Sequence, residues 1–172
     1  MRKGLILVNT GEGKGKTTSA LGTAIRADGS GLKVCIIQFM KGSLKAGERD
    51  VINKLSNIEI HAMGSGFSWD KESWDEDRAL AQKAWEKSKE VIYSGDFDLV
   101  VLDEINYALD YGLLEINEVI ESLKNKPQHI HLFLTGRRTK KEIIDLADMV
   151  TEMKEIKHHF RNGVKAQKGI EF

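Results

Sequence analysis

An internal disulfide is closed to this chain, because its 172 residues hold one cysteine, Cys35. That thiol lies in an apolar run, where a small core residue is the expected role. Charge of one sign is also missing: 26 lysines and arginines face 26 aspartates and glutamates. A balanced chain carries no electrostatic footprint for nucleic acid and no preference for a membrane surface. No apolar run approaches the length of a membrane span. Met1-Arg2-Lys3 leads straight into an apolar stretch, so no secretory signal is expected and the expected location is the cytoplasm. Internal repeats, low-complexity segments and candidate linkers are likewise missing, which leaves one domain over residues 1–172 as the natural count.

What is present begins with Thr10-Gly11-Glu12-Gly13-Lys14-Gly15-Lys16-Thr17-Thr18. An apolar run, Leu5-Ile6-Leu7-Val8, precedes it and reads as a buried strand; Ser19 to Arg26 follows and reads as a helix. Strand, glycine-rich turn, Lys-Thr and helix form the context in which a phosphate loop is expected. Glycines let the backbone turn tightly and point N–H groups inward, and the helix start adds its positive dipole end. Lys16 supplies a cation for phosphate oxygens, and the Thr17 hydroxyl is suited to Mg²⁺. The usual spacing, G-x-x-x-x-G-K-[ST], requires glycine at position 10, where this chain has Thr10. The loop is a variant, and the usual nucleotide pose is not assumed.

Further along, strands are expected at 4–9, 33–39, 57–61, 97–104, 129–135 and 149–153, and helices at 15–28, 48–55, 72–94, 105–111, 115–124 and 139–147. The return from strand to helix to strand implies a parallel sheet. The long helix should bury Leu80, Ala84, Trp85, Ser88, Val91 and Ile92. Phe97 to Glu104 is an apolar strand ending in two carboxylates, the Walker B pattern once a phosphate loop lies upstream. Thr17 and Glu104 are the first choices for Mg²⁺, with Asp103 close behind. Arg137 follows a strand at its C-terminal end, where ligands bind in open α/β sheets; a basic helix start is the alternative. Phe67 and Trp69 stand in a glycine- and serine-rich loop, either to staple it to the core or to offer a flat apolar wall to a planar ligand. His61 reads as a strand-end side chain, with no histidine or cysteine at ligand spacing nearby. His129 and His131 alternate with apolar residues and read as edge or packing positions. The stretch Gly163 to Ile170 is unusually basic.

Taken together, the phosphate loop Gly11 to Thr18, Gln38-Phe39-Met40-Lys41-Gly42, Gly47-Glu48-Arg49, Met63 to Asp70, Leu102-Asp103-Glu104, Thr135-Gly136-Arg137 and Gly163-Val164-Lys165-Ala166-Gln167 closely resemble the corrinoid adenosyltransferases of the cobalamin pathway. The resemblance runs over nearly the whole chain. It implies an α/β, RecA-like P-loop NTPase fold: a mostly parallel central sheet with helices on both faces. It implies transfer of the 5′-deoxyadenosyl group of ATP to cobalt(I) of cobalamin or another corrinoid, with triphosphate released and Mg²⁺ required. On that reading Gly11, Glu12, Gly13, Lys14, Gly15, Lys16, Thr17, Thr18 and Arg137 bind ATP, Lys16, Thr17 and Glu104 are catalytic, and Phe67 and Trp69 pack on the corrinoid. A homodimer and a flavodoxin-like or flavin reductant are also implied. The pattern departs at Glu12, where relatives often carry Asn, and at Arg138, where glycine is common. Two other classes stay open on the residues alone: a P-loop ATPase or kinase with Glu104 as base, and a non-catalytic carrier of ATP and corrinoid.

Overall fold

The computed structural model describes residues 3–42, 47–66 and 74–171. Among these the strands are β1 (Ile6–Thr10), β2 (Val34–Gln38), β3 (Ile58–Ala62), β4 (Leu99–Asp103), β5 (His131–Thr135) and β6 (Met149–Glu152). The helices are α1 (Lys16–Gly29), α2 (Gly47–Ile52), α3 (Asp75–Ser94), α4 (Ile105–Asp110), α5 (Ile116–Lys124) and α6 (Lys141–Leu146), and a 3₁₀ turn covers His159–Asn162. Every expected element is present, with ends moved by a few residues. One difference matters: His129 lies in a turn, and only His131 is on β5. There the His131 Nδ1 accepts the Leu5 N–H at 3.0 Å, so this histidine tethers the chain leading into β1.

All pairings in the six-stranded sheet are parallel, in the order β3-β2-β4-β5-β1-β6. Successive side chains of a strand face opposite ways, and the sequence supplies apolar residues on both sides. Val34, Ile36, Leu99, Val101 and Phe133 meet Ala20, Leu21, Ala24 and Ala27 of α1 and Ile52 of α2. Cys35, Ile37, Val100, Leu102, Leu132 and Leu134 meet α3, α4, α5 and Ile143 of α6. Helices therefore cover both faces, as strands that are apolar throughout require.

On α3 the buried set is Asp77, Ala81, Ala84, Trp85, Ser88, Val91 and Ile92, with Leu80 only half-buried. Trp85 is the largest fully buried side chain among the described residues, and its indole N–H donates to Glu118 Oε1 at 3.0 Å. A buried indole without such a partner would forfeit about 1–3 kcal/mol. Trp74, just before α3, stacks on Tyr111 with ring centroids 5.0 Å apart, and Tyr111 stacks on Tyr107 of α4 at 5.6 Å.

Parallel strands deliver their C-terminal ends to one edge of the sheet. The residues gathered there are Asn9 and Thr10, Gln38, Asp103 and Thr135, all buried polar groups. Core strands ending in polar residues are the architectural signature of a site.

Candidate active site

The loop between β1 and α1 is shaped by backbone demands. Gly15, at φ 106°, is the residue from which α1 departs. A side chain there would be strained, because that conformation crowds a Cβ against the following carbonyl. Gly13 faces a different constraint. Its N–H donates to Met153 O at 2.6 Å, and a Cβ on it would lie 2.7 Å from that oxygen. The segment after β6 thus forms a floor under the loop.

Lys16 opens α1 and curls back over this loop. Its ammonium donates to Gly11 O at 2.7 Å and Gly13 O at 2.6 Å. Burial lowers its pKa, and the positive Arg137 nearby lowers it further, against Glu12 and Glu104, which raise it. The cation is held on neutral carbonyls, which an anion of higher charge can outcompete. Lys14 leans the other way and is paired with Glu171 Oε1. Thr18 is exposed in the first turn of α1.

Thr17 points at the end of β4. Its hydroxyl donates to Asp103 Oδ1 at 2.8 Å, which leaves the oxygen's own lone pairs available to accept. The same Oδ1 accepts the Thr135 hydroxyl at 2.7 Å, and Oδ2 accepts Gln38 Nε2 at 2.9 Å. Lys41 Nζ stands 3.5 Å from Oδ2 and 3.6 Å from Glu48. Arg49 then fixes Gln38, donating Nε to its Oε1 at 2.9 Å and Nη1 to Gly42 O at 2.8 Å. Asp103 is 1% exposed and its lone pairs are largely committed. It positions Thr17 more than it offers itself to a ligand.

Glu104 is the opposite case. It sits at φ 64°, ψ 20°, the left-handed region that a non-glycine residue enters at a cost of order 1 kcal/mol. Its N–H donates to Thr135 Oγ1 at 2.9 Å, so one hydroxyl fixes both acids of the pair. Burial, and then the Asp103 charge, push its carboxyl up to about 7, with Lys41, Lys16 and Arg137 pulling the other way. An acid that is hard to ionise, beside a hydroxyl with free lone pairs, is suited to an incoming cation.

Arg137 and Arg138 follow β5. Arg137 Nη1 lies 3.1 Å from Glu12 Oε2, and Arg138 Nε lies 3.7 Å from Oε1. Glu12 is therefore neutralised by arginines rather than left facing the loop's centre. Arg138 also reaches Asp110 at 3.6 Å and is the second non-glycine residue at positive φ, 50°.

The structure thus brings Gly11, Glu12, Gly13, Gly15, Lys16, Thr17, Asp103, Glu104 and Arg137 to one edge of the sheet. Phe67 and Trp69 lie outside the described residues. Gln38, Lys41 and Thr135, which the sequence offered only as parts of a resemblance, have definite places around Asp103. The register carried the signal for Gln38: it ends an apolar strand directly opposite Asp103.

A family model described as ATP:corrinoid adenosyltransferase BtuR/CobO/CobP matches residues 2–172. The chain belongs to this family. A corrinoid adenosyltransferase of Sinorhizobium is 46% identical over 173 residues, covering 99% of this chain and 81% of that protein. The corrinoid adenosyltransferase of Escherichia coli K12 is 41% identical over 170 residues, covering 99% and 86%. Among solved structures the RadB recombinase superposes with a TM-score of 0.52 at 16% identity, over 91% of this chain and 77% of that one. That likeness concerns the fold alone: a RecA-like α/β architecture around a parallel sheet.

Proposed function

We propose that the protein transfers the 5′-deoxyadenosyl group of ATP to cobalt(I) of cobalamin or another corrinoid. The observation that carries the reading is the assembly of Lys16, Thr17, Glu104 and Arg137 around one variant phosphate loop, in a chain matched to the family over 2–172. Cobalt(I) is itself the nucleophile. Its electron pair forms the bond to the ribose 5′-carbon, the carbon–oxygen bond breaks, and that pair leaves on triphosphate. The protein's task is to hold the chain of phosphates and stabilise the departing oxygen.

Lys16 leaves the Gly11 and Gly13 carbonyls for the phosphates, and the loop N–H groups and Thr18 add donors. Lys14 exchanges Glu171, and Arg137 exchanges Glu12, for the more highly charged triphosphate. Thr17 and Glu104 fit the donor set for Mg²⁺: a hydroxyl with lone pairs available to accept and a carboxylate destabilised by burial. Asp103 stands behind them as the group that orients Thr17. Bound there, Mg²⁺ would supply charge stabilisation to the leaving triphosphate.

Phe67 and Trp69 are proposed to pack on the corrinoid and exclude an axial ligand from cobalt, which eases reduction of the +2 state. A flavodoxin-like or flavin reductant would then be a transient partner. A homodimer in the cytoplasm completes the proposal. No helix among the described residues is long and apolar enough to cross a membrane.

The test is an anaerobic incubation with ATP, Mg²⁺ and chemically reduced cob(I)alamin. A light-sensitive adenosylated corrinoid with stoichiometric triphosphate is expected, and Lys16→Ala should abolish both. One observation favours a second reading: a carboxyl pushed to about 7, as in Glu104, is also poised as a general base. Corrinoid-independent release of ADP and phosphate would establish that ATPase instead.

A further inference from the structure

Far along the sheet from the phosphate loop's strand, the outer strand β3 and its neighbour β2 juxtapose three metal-ligating side chains. Cys35 stands directly opposite Glu59 in the register, and His61 lies two residues on, opposite Ile37. Alternation puts all three on one face of the sheet. Their ligand atoms, a thiol sulfur, an imidazole nitrogen and a carboxylate oxygen, all lie within 4.8 Å of one another. We propose that Cys35, Glu59 and His61 form a binding site for a zinc-like divalent cation, distinct from the nucleotide site.

Each ligand is placed for that role. Cys35 is fully buried and immobile in the β2 ladder, so its sulfur is the floor of the site. Glu59 and His61 have side chains 63% and 37% exposed, so they form a rim that can rotate inward and that a cation reaches from solvent. The His61 Nε2 atom is itself shielded from water and has no hydrogen-bond partner among the described residues; Glu59 Oε2 stands 3.6 Å away. A shielded ring nitrogen without a partner, beside a carboxylate and a thiol, is an unsatisfied donor set that a cation would complete.

The chemistry selects the metal. Sulfur, imidazole and one carboxylate favour a borderline-soft ion over Mg²⁺ or Ca²⁺, which take oxygen ligands. Zinc bonds of about 2.0–2.3 Å require the three atoms to close by roughly 1 Å, within the reach of the two rim side chains. Three protein ligands leave one tetrahedral position open on the exposed side. Lys87 and Glu90 of α3, paired at 2.7 Å, also bear on Cys35, the first favouring its thiolate and the second opposing it. Burial and Glu59 push the thiol up to about 12, so cation binding must displace its proton to solvent.

Because the chain has one cysteine, a spectroscopic reporter is unambiguous. Co²⁺ added to the full-length protein should produce a thiolate-to-cobalt charge-transfer band that saturates at one ion per chain and disappears when Zn²⁺ is added. The band should vanish in Cys35→Ser. His61→Ala and Glu59→Gln, both at partly exposed positions where folding is safe, should each weaken Co²⁺ binding about tenfold or more. A His158→Ala/His159→Ala variant removes the second potential ligand cluster, beside Glu171, and should leave the band unchanged. Absence of the band in the wild-type protein would overturn the proposal. So would a band of equal affinity in His61→Ala and Glu59→Gln.

Discussion

Replacing Glu104 with glutamine should stabilise the protein at alkaline pH and leave its acid stability almost unchanged. The carboxyl is displaced from 4.5 to about 7, first by burial and then by Asp103. Between those values the folded protein keeps a proton that the unfolded chain has released. Below 4.5 both states hold it, and the site carries no penalty. As pH rises through the interval, folded stability falls, and above about 7 the full cost of ionising a buried acid is borne, about 3 kcal/mol. Glutamine has nothing to ionise. The variant should therefore gain up to about 3 kcal/mol at pH 8 and close to nothing at pH 4. For a chain of this length that corresponds to a midpoint rise of roughly 5–10 °C. Urea unfolding of both proteins at the two pH values, without divalent cations, measures the difference directly. Equal stability differences at pH 4 and pH 8 would refute the reasoning, as would a less stable variant at pH 8. Adding Mg²⁺ and ATP at pH 8 should restore stability to the wild type and do less for the variant.

Gly13→Ala should destabilise the fold by about 2 kcal/mol or more, because its Cβ would meet the Met153 oxygen at 2.7 Å; thermal unfolding reports this, and a midpoint within about 1 °C of wild type would contradict the close approach. Thr135→Val removes the hydroxyl that serves both Asp103 and the Glu104 N–H, at 2.7 and 2.9 Å, and should cost about 1–3 kcal/mol and lower transferase activity, read by denaturation and by triphosphate release. Arg138→Gly should relieve the left-handed backbone at φ 50° and stabilise by about 1 kcal/mol, since the exposed ion pairs it gives up are worth little.

The parts of this protein legible in its sequence are those written locally. Leu5 to Val8, the glycines and Lys16-Thr17 announce strand, turn and helix within a few residues. The same holds for Leu99 to Glu104, where apolar run and acid pair adjoin. What escaped is written by register. Gln38, Asp103 and Thr135 belong to three strands widely separated in the chain, and only the order β2-β4-β5 brings them together. His61 has no histidine or cysteine at close spacing along the chain; its neighbour Cys35 stands across the ladder. Glu12 departs from the resemblance in the sequence, and its partners Arg137 and Arg138 come from the turn after β5, far along the chain. Arg138 itself gave no local sign of its positive φ.

The floor beneath the glycine loop has a consequence for how the protein comes into being. On the ribosome, β1 and the loop emerge before the rest of the sheet, yet among the described residues the partners of β1 are β5 and β6, and Gly13 donates to Met153. At about 5–20 residues per second, roughly seven to thirty seconds separate synthesis of the loop from synthesis of its support. Until β5 is made, late in that interval, Ile6 and Val8 have no partner strand, and until Met153 follows the loop lacks its floor. ATP is abundant in a cell, but a nascent chain with this topology cannot use it as a template for folding. Nucleotide affinity should appear late and abruptly as the chain lengthens, when Met153 closes the sheet's last seam.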